Sequence, residues 1–333
     1  MVKITDVARR AGVSPSTVSY ALSGKRPISD ETRRRVEAAA RDLGYRPRSV
    51  AHGPACGKPN VLALAAPLRP GVHAPVVMRL AVSVVTTARA HAHDVLLLTQ
   101  EEAEEGLSRA LGTASVDGLL LTDVELHDPR LPRLHALDRP SVLIGLPANP
   151  RGLTCVDLDF QAAGEACVNH LAELGHRTVA LVGSPPEVYL RETAYAHHLM
   201  RGFTTAAGRH RLTTSVQPGD PDPTAAPRLA ERLVREHPAL SAVVIHNEPL
   251  LEPLIQAFRR LDLRIPDDLS VIALCPDDLA TTARAPVTSV TLPFAELGTR
   301  AVELLIRKLR GTPVPQTTLL PPRLTERATT RQA

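Results

Sequence analysis

Apolar residues in the first fifty positions recur at intervals of three and four, the spacing of an α-helix. This spacing predicts a short helix over residues 6–11, with Thr5 as its N-cap and Gly12 as the tight turn that ends it. A second helix is predicted from Pro15, because Ser14 can cap it and a proline at the first helical position loses no hydrogen bond.

The second helix separates apolar positions from hydroxyl-bearing ones. Val18, Ala21 and Leu22 share one face, which we expect to pack inward. The opposite face presents short hydroxyls and one phenol, at Ser16, Thr17, Ser19 and Tyr20. A helix with such a face can approach a phosphate backbone closely and reach base edges.

A third helix is expected after Ser29, which is another N-cap residue. Its first two positions are acidic, an apolar stripe runs as far as Leu43, and Gly44 ends it. These features predict an all-α helix-turn-helix head over residues 1–47. A three-helix bundle without a DNA role is the alternative, and the polar outer face of the second helix argues against it.

Beyond residue 60, short apolar runs alternate with helical stretches. The runs are continuous, as strands buried on both faces of a parallel sheet require. Strands are expected at Val61–Ala66, Val95–Thr99, Gly118–Thr122, Val142–Leu146, 178–183, 212–217, 241–246, 270–274 and Val287–Leu292. Helices are expected at about 75–92, 101–113, 131–138, 160–174 and 295–310. This alternation predicts an α/β body made of two doubly wound lobes.

The domain limits follow from this pattern. We expect a hinge or linker at 48–60 and a body at 61–333. Lobe 1 is expected to comprise about 61–160 and 290–320, and lobe 2 about 161–289. In this arrangement Val287–Leu292 and the helix after it return the chain to lobe 1.

Charge differs between the head and the rest of the chain. Residues 1–50 contain eleven Lys and Arg against five Asp and Glu, a net charge of +6, whereas the whole chain carries +4. The remaining residues are therefore slightly acidic. A basic head on a weakly acidic body favours a polyanionic partner for the head alone.

Motifs of the common enzyme classes are absent from the sequence. It contains no glycine-rich phosphate loop, nucleophile elbow or zinc-protease helix, and Asp157 and Asp159 fit helix capping better than a catalytic pair. The cysteines are isolated from one another and have no histidine at zinc-ligand spacing, so buried thiols are expected at Cys56, Cys155, Cys167 and Cys275. No enzyme activity, cofactor or metal is expected.

The first residues lack the apolar segment of an export signal, and no apolar run approaches membrane-spanning length. We therefore expect a cytoplasmic protein with no membrane partner. A solute-binding protein is the rival class, and both the basic head and this N-terminus argue against it.

The stretch ITDVARRAGVSPSTVSYALSGKRPISDETRRRVEAAARDLGYRPRSVA resembles the head of the lactose-repressor (LacI/GalR) family almost without gaps. The resemblance implies that Pro15, Ser16 and Tyr20 read bases in the major groove. It also implies phosphate contacts for Ser14, Thr17, Ser19 and Ser29. We therefore expect a sequence-specific transcriptional repressor that binds a near-palindromic double-stranded DNA operator as a homodimer.

Members of this family continue with a hinge helix that inserts a leucine into the minor groove. Arg48, Val50 and Ala51 fall in this stretch, and the resemblance assigns them DNA contacts. Gly53 and Pro54 follow, with the proline at the leucine position, and they cost a helix interior about 1 and 3 kcal/mol relative to Ala. A flexible linker is therefore favoured here over a minor-groove wedge.

Four further stretches resemble landmarks of the family's body: VDGLLL (116–121), HLAELGHRTVALVG (170–183), RIPDDLSVIAL (264–274) and PVTSVTLPFAELGTRAVELL (286–305). They imply two lobes like those of periplasmic sugar-binding proteins, with an effector in the cleft and dimerisation along one side. Ligands in such sheets bind beyond the carboxyl ends of the strands. The expected ligand loops are therefore 67–74, 122–127, 184–191, 246–249 and 275–278.

This chain departs from the family at several effector positions. Leu199 stands where the family has an effector-binding arginine, and Cys275 lies in a turn that loses an aspartate, with Asp277 shortly after it. The expected effector contacts are these three positions together with Arg69, His73, Arg191 and Asn247.

Two interpretations of the cleft remain open at this point. The first is a small-molecule effector, either sugar-like or altered to a less polar or anionic compound that Arg69, His73, Arg191 and Asn247 would meet. The second is a cleft that binds nothing, with regulation by concentration or by a partner protein.

Overall fold

The computed structural model describes residues 4–23, 28–43, 60–69, 72–99, 116–136, 139–220, 222–282 and 285–333. It divides into two compact units, Met1–Asn60 and Val61–Ala333, here called the head and the body. The helix expected at 101–113 and nearly all of the linker expected at 48–60 lie outside the described residues.

Three helices form the described part of the head: α1 Ile4–Ala11, α2 Pro15–Ser23 and α3 Asp30–Asp42. Each contributes one fully buried valine to the centre of the core, namely Val7, Val18 and Val36. Small residues such as Ala21 complete this core and let the helices approach closely. The amphipathic pattern in the sequence is therefore confirmed.

The turn between the first two helices forms at Gly12, which has a φ of +66°. A side chain at this position would be strained by that backbone conformation alone. Helix α1 already begins at Ile4, so the prediction that Thr5 caps it was wrong. The apolar Ile4 packs against the head core, which places the start of the helix before Thr5.

Lobe 1 of the body is a parallel sheet of six strands within the described residues. Its strands are β1 Val61–Ala65, β2 Asp94–Leu98, β3 Gly118–Leu121, β4 Ser141–Ile144, β5 Cys155–Leu158 and β11 Thr317–Leu320. They lie side by side in the order β11-β5-β4-β3-β1-β2. The described helices of this lobe are α4 Ala74–Ala90, α5 Leu131–Ala136 and α12 Phe294–Leu309.

Lobe 2 contains the second sheet, again of six strands in the described part. These are β6 Thr178–Gly183, β7 Thr213–Pro218, β8 Ala242–Ile245, β9 Ser270–Cys275, β10 Thr288–Thr291 and β12 Leu324–Thr325, in the order β12-β10-β9-β8-β6-β7. Only the pairing of β12 with β10 is antiparallel among these neighbours. The helices are α6 Phe160–Glu173, α7 Pro186–Leu190, α8 Ala194–His210, α9 Ala226–Glu236, α10 Glu248–Arg260 and α11 Asp277–Thr282.

The chain passes between the lobes three times, after β5, after β10 and after β11. The expectation that Val287–Leu292 returns to lobe 1 was wrong, because β10 pairs with β9 in lobe 2. Helix α12 does return, and its buried face joins the core of lobe 1. The C-terminal residues then stay on lobe 2, where the hydroxyl of Thr329 accepts from the Thr288 N–H at 2.9 Å and donates to the Val271 carbonyl at 2.7 Å.

The central strands of both sheets are buried along their whole length. Hydrophobic clusters cover both faces of each sheet, as the continuous apolar runs predict. Within the described part of the chain, no helix combines the length and apolar character needed to span a bilayer.

Helices α6 and α8 pack through two glycines that face the opposite backbone. A Cβ on Gly164 would lie 2.5 Å from the Leu199 carbonyl oxygen and 2.7 Å from the Phe203 nitrogen. A Cβ on Gly202 would collide with the backbone of Gln161. Because backbone cannot rotate away as a flexible side chain can, this helix pair requires glycine at both positions.

Gly202→Ala should therefore lower the free energy of unfolding by about 1–3 kcal/mol, since the added methyl forces the two helices apart. Gly208→Ala is the matched control on the same helix, where no atom lies within 4 Å of the added methyl. It should raise the free energy of unfolding by up to about 1 kcal/mol, because Ala favours a helix over Gly. Denaturant unfolding of the full chain measures both, and equal effects would contradict this packing.

Candidate DNA interface and effector cleft

Helix α2 begins as its sequence predicts. The Thr17 N–H donates to the Ser14 hydroxyl oxygen at 3.1 Å, and the two hydroxyl oxygens lie 2.8 Å apart, so Ser14 is the N-cap. Val18 and Ala21 are buried beneath the helix. The outer face is open to solvent, with Pro15, Ser16 and Ser19 exposed and Thr17 and Tyr20 half-buried.

The start of α3 is built in the same way. The Thr32 N–H donates to the Ser29 hydroxyl oxygen at 3.4 Å, and Ser29 is itself exposed. The Arg35 guanidinium donates to the Ala11 carbonyl at 2.5 Å, which ties α3 to the end of α1. The remaining expected DNA contacts, Arg48, Val50 and Ala51, lie outside the described residues.

A cavity of about 290 Å³ lies between the two lobes of the body. Four of the five loops expected from the strand ends contribute to its lining, through residues 67 and 72–73, 122–124, 184–185, and 246–249. No residue of the loop 275–278 is among the described lining residues. The volume is near the lower end of the range for cavities that hold small molecules.

Aromatic rings form one wall of this cavity. The ring centroids of Phe160 and Tyr195 are 5.5 Å apart, those of Tyr195 and His246 are also 5.5 Å apart, and those of Phe160 and His246 are 5.8 Å apart. Leu80, Ile144 and other aliphatic side chains line the cavity as well. The cavity can therefore bind an apolar ring or chain.

Three carboxyl groups line the same cavity, those of Asp123, Asp157 and Glu248. Burial raises the pKa of Asp157 to about 8, although the Leu158 N–H donates to this carboxyl at 2.9 Å. Burial also raises the pKa of Glu248 to about 7. Asp157 is therefore mostly protonated at neutral pH and Glu248 is protonated in part.

Two histidines in the lining are neutral at neutral pH. Burial lowers the pKa of His246 to about 4, and burial together with nearby Arg79 lowers the pKa of His73. The Nδ1 atoms of both rings and Oδ2 of Asp123 are buried without a hydrogen-bond partner. Oδ2 of Asp123 lies 3.7 Å from Nε of Arg69, and Nδ1 of His73 lies 3.8 Å from Oε2 of Glu248. A bound molecule is therefore the natural hydrogen-bond partner chiefly for Nδ1 of His246.

The lobes also contact each other across the cleft. On one side, Arg79 of α4 makes two hydrogen bonds with the Asp278 carboxylate of α11, at 2.8 and 2.7 Å. Backbone hydrogen bonds join the two lobes elsewhere, from the Leu126 N–H to the Glu192 carbonyl at 2.8 Å and from the Ala194 N–H to the Val124 carbonyl at 2.9 Å. Closure of the lobes thus depends on polar contacts as well as on the chain crossings.

The structure brings two of the seven expected effector contacts, His73 and Asn247, into the cavity lining. Arg69 is not among the described lining residues, and its guanidinium lies 2.9 Å from Glu125 and 3.7 Å from Asp123. Arg191 follows the short helix α7 and is not among the described lining residues.

The three positions taken from the family's effector contacts lie elsewhere. Leu199 and Cys275 are buried in the two hydrophobic cores of lobe 2. Removing an apolar side chain from water is favourable, so these positions stabilise the lobe instead of facing the cavity. The Asp277 carboxylate pairs with Arg327. None of the three is among the described residues that line the cavity.

The sequence analysis did not place Asp157 in the effector cleft. The available signal was its position at the carboxyl end of a buried strand, where ligands of parallel sheets bind. Both Asp157 and Asp159 were interpreted as helix caps. The structure confirms this only for Asp159, whose carboxylate accepts from the Ala162 N–H at 2.9 Å. The aromatic wall was also missed, since Phe160 and Tyr195 come together only after the lobe folds.

Comparison with known proteins adds to these observations. Residues 3–48 match the lacI family of bacterial regulatory proteins, and residues 168–330 match a periplasmic binding protein-like domain. The chain belongs to the LacI family. This membership makes it a DNA-binding transcriptional regulator with a two-lobed, periplasmic-binding-protein-like body.

Individual relatives agree over nearly the whole length of this LacI-family chain. The HTH-type transcriptional repressor CytR of Escherichia coli K12 is 28% identical over 313 residues, which cover 92% of this chain and 89% of that protein. The lac repressor dimer bound to operator and the anti-inducer ONPF has a TM-score of 0.72 at 22% identity, covering 99% of both chains. A complex of the transcriptional regulator CelR with cellobiose has a TM-score of 0.69 at 24% identity, covering 99% of this chain and 100% of that one.

The raised pKa of Asp157 makes the stability of this LacI-family body depend on pH. A carboxyl whose pKa is higher in the folded state stabilises the fold fully below its unfolded pKa of about 3.9, and this stabilisation is lost as the pH rises through about 8. Asp157→Asn removes the titrating group. Its melting temperature should therefore fall less than that of the wild type between mildly acidic and mildly alkaline pH.

Asp268→Asn is the control for this measurement. Hydrogen bonds from Arg264 lower the pKa of the exposed Asp268 to about 2, so Asp268 stays ionised in both states over the same pH range. Its substitution should leave the slope of melting temperature against pH unchanged. A wild-type slope in Asp157→Asn would show that Asp157 does not titrate as described.

Proposed function

We propose that this LacI-family regulator represses transcription by binding a near-palindromic operator as a homodimer, and that a small molecule in the cleft alters its operator affinity. The observation that carries the proposal is the solvent-open hydroxyl face of α2, which Ser14 caps above a packed three-helix core. A regulator of this kind acts where the DNA is, in the cytoplasm, and it needs binding sites rather than a catalytic centre.

Within the head, Pro15, Ser16 and Tyr20 contact bases in the major groove. The phosphate contacts come from the hydroxyl side chains that surround them, those of Ser14, Thr17, Ser19 and Ser29. Exposure of Ser14, Ser19 and Ser29 and the short reach of a hydroxyl support this assignment. By resemblance, Arg48, Val50 and Ala51 add contacts behind the head.

The double variant Ser16→Ala and Tyr20→Ala should bind its operator at least about tenfold more weakly, since each lost base contact is worth about 1–3 kcal/mol. A mobility-shift titration measures this, with the DNA upstream of the protein's own gene and an unrelated fragment of equal length. Both variant and wild type should bind more weakly as salt rises, because phosphate contacts release counterions.

Thr204→Ala is the matched control, because it removes an exposed hydroxyl from helix α8 of the body. This variant should shift the operator as the wild type does. Circular dichroism shows whether the double variant keeps its helices. An undiminished operator-specific shift in a folded double variant would contradict the proposed contacts.

The homodimer is proposed to form through helix α4. Met78, Val82 and Val85 are exposed along one face of this helix, and Leu97 is exposed on the neighbouring edge strand β2. Contiguous apolar surface of this kind marks an interaction site. The solved lac repressor dimer, which shares the fold, favours a second copy of the chain as the partner.

Val82→Asp should shift the protein from dimer to monomer in sedimentation velocity, because a charge at the centre of the apolar stripe is desolvated on association. Leu190→Asp is the control: Leu190 is 83% exposed and Val82 is 65% exposed, but Leu190 lies on lobe 2. The control should remain dimeric. A dimeric Val82→Asp variant at the same concentration would place the interface elsewhere.

An occupied cleft is favoured over an idle one. The Nδ1 atom of His246, which has no hydrogen-bond partner, supports this choice, because an empty cavity leaves its hydrogen-bonding capacity unused.

A further inference from the structure

This inference rests on the proposed effector role of the cleft and concerns the charge of the molecule it binds. Asp123, Asp157 and Glu248 line the cavity, whereas the described lining residues include neither Lys nor Arg. Phosphorylated compounds and carboxylic acids would therefore meet carboxyl groups without a cation in contact. The anionic effector considered from the sequence is thus disfavoured.

Two guanidinium groups that lie close to the side chains of lining residues are engaged with other partners. Arg69 pairs with Glu125 and lies close to Asp123, and Arg79 makes both of its hydrogen bonds with Asp278. Asp123 is thus partly compensated by Arg69.

Among the described residues, no cation acts on Asp157, and Glu248 senses only the charge of Arg79, whose hydrogen bonds go to Asp278. Asp157 accepts a backbone hydrogen bond from Leu158, and the nearest ring nitrogen to Glu248 is that of neutral His73, 3.8 Å away. Neither of these buried carboxyl groups therefore has a lysine or arginine as a hydrogen-bond or ion-pair partner among the described residues. Burial of a carboxylate in this state is unfavourable until a cation arrives.

A second feature points independently to a bound molecule. His246 is 6% exposed, lines the cavity, and has an Nδ1 atom without a hydrogen-bond partner. Its ring also stands at 83° to that of Tyr195, within the aromatic wall. The faces of aromatic rings attract cations, and ring walls accommodate apolar bodies.

We propose that the effector is an organic cation: a compound with a protonated nitrogen that enters the cavity lined by Asp157 and Glu248 and an apolar ring or chain that packs on the aromatic wall. A charge-assisted hydrogen bond to one carboxylate and the negative charge of the other supply selectivity for the nitrogen. The hydrophobic lining supplies affinity for the rest of the molecule.

Binding of such a cation is coupled to proton release. Burial holds the pKa values of Glu248 and Asp157 at about 7 and 8, and a nearby positive charge lowers both. The affinity for a permanently protonated amine therefore increases as the pH rises through these values. The other titratable groups that act on these two carboxyls or lie close to them are Arg79, His73, Tyr195, Cys275, Cys155 and Asp159.

Matched sets of compounds test the proposal on the full chain. The sets are tyramine, tyrosol and hydroxyphenylacetate; cyclohexylmethylamine, cyclohexylmethanol and cyclohexanecarboxylate; and glucosamine, glucose and gluconate. At millimolar concentration the amine of at least one set should raise the melting temperature by about 2 °C or more. The alcohol should act more weakly and the acid should have no effect.

Isothermal titration of the amine that binds best then measures affinity and protons released. In two buffers of different ionisation enthalpy, the observed heats at neutral pH should differ in the direction of proton release. Asp157→Asn and Glu248→Gln should each weaken the amine about tenfold and leave the matched alcohol unchanged. Glu236→Gln, an exposed carboxyl on α9, should leave the amine affinity as in wild type.

An acid that binds as tightly as its amine, or a panel in which no amine stabilises the protein, would overturn the proposal. Equal loss of amine and alcohol in the carboxyl variants would also overturn it, since that result indicates a purely structural role. Operator binding in the mobility-shift assay tests the proposed repressor function separately from the identity of the effector. If the operator shift persists and the amines fail, only the identity of the effector is wrong.

Discussion

A parallel sheet directs the carboxyl ends of all its strands to one edge, and this constraint determines where the body can bind a molecule. Both sheets satisfy it for all but the short antiparallel strand β12. Because the chain crosses between the lobes at the ends of β5, β10 and β11, the two carboxyl edges face each other across the cleft. The cavity lining is therefore drawn from loops that are far apart in sequence.

Much of this arrangement could be predicted from the sequence. Continuous apolar runs identified the buried strands, and a rule about strand ends identified four of the loops that line the cavity. The caps at Ser14 and Ser29 were also predictable, because N-capping depends on a few neighbouring residues. Local pattern and topology were sufficient for these features.

Other features depend on packing that no local pattern encodes. Strand β10 belongs to the sheet of lobe 2 because it pairs with β9. The apolar run of β10 does not specify which strand it pairs with. Leu199 and Cys275 were chosen by resemblance, yet their side chains pack into the cores of lobe 2. Conversely, Asp157 lines the cavity because strand β5 ends there in the folded lobe. Its sequence neighbours alone suggested a helix cap.

The bidentate pair between Arg79 and Asp278 has a consequence for kinetics. Separation of the lobes at that side breaks two charge-assisted hydrogen bonds at once, which adds to the barrier for opening and slows the exit of a bound molecule. The pair is exposed, so dissolved ions weaken it. The residence time of a ligand in the cleft thus depends on ionic strength, independently of how well the cavity wall fits it.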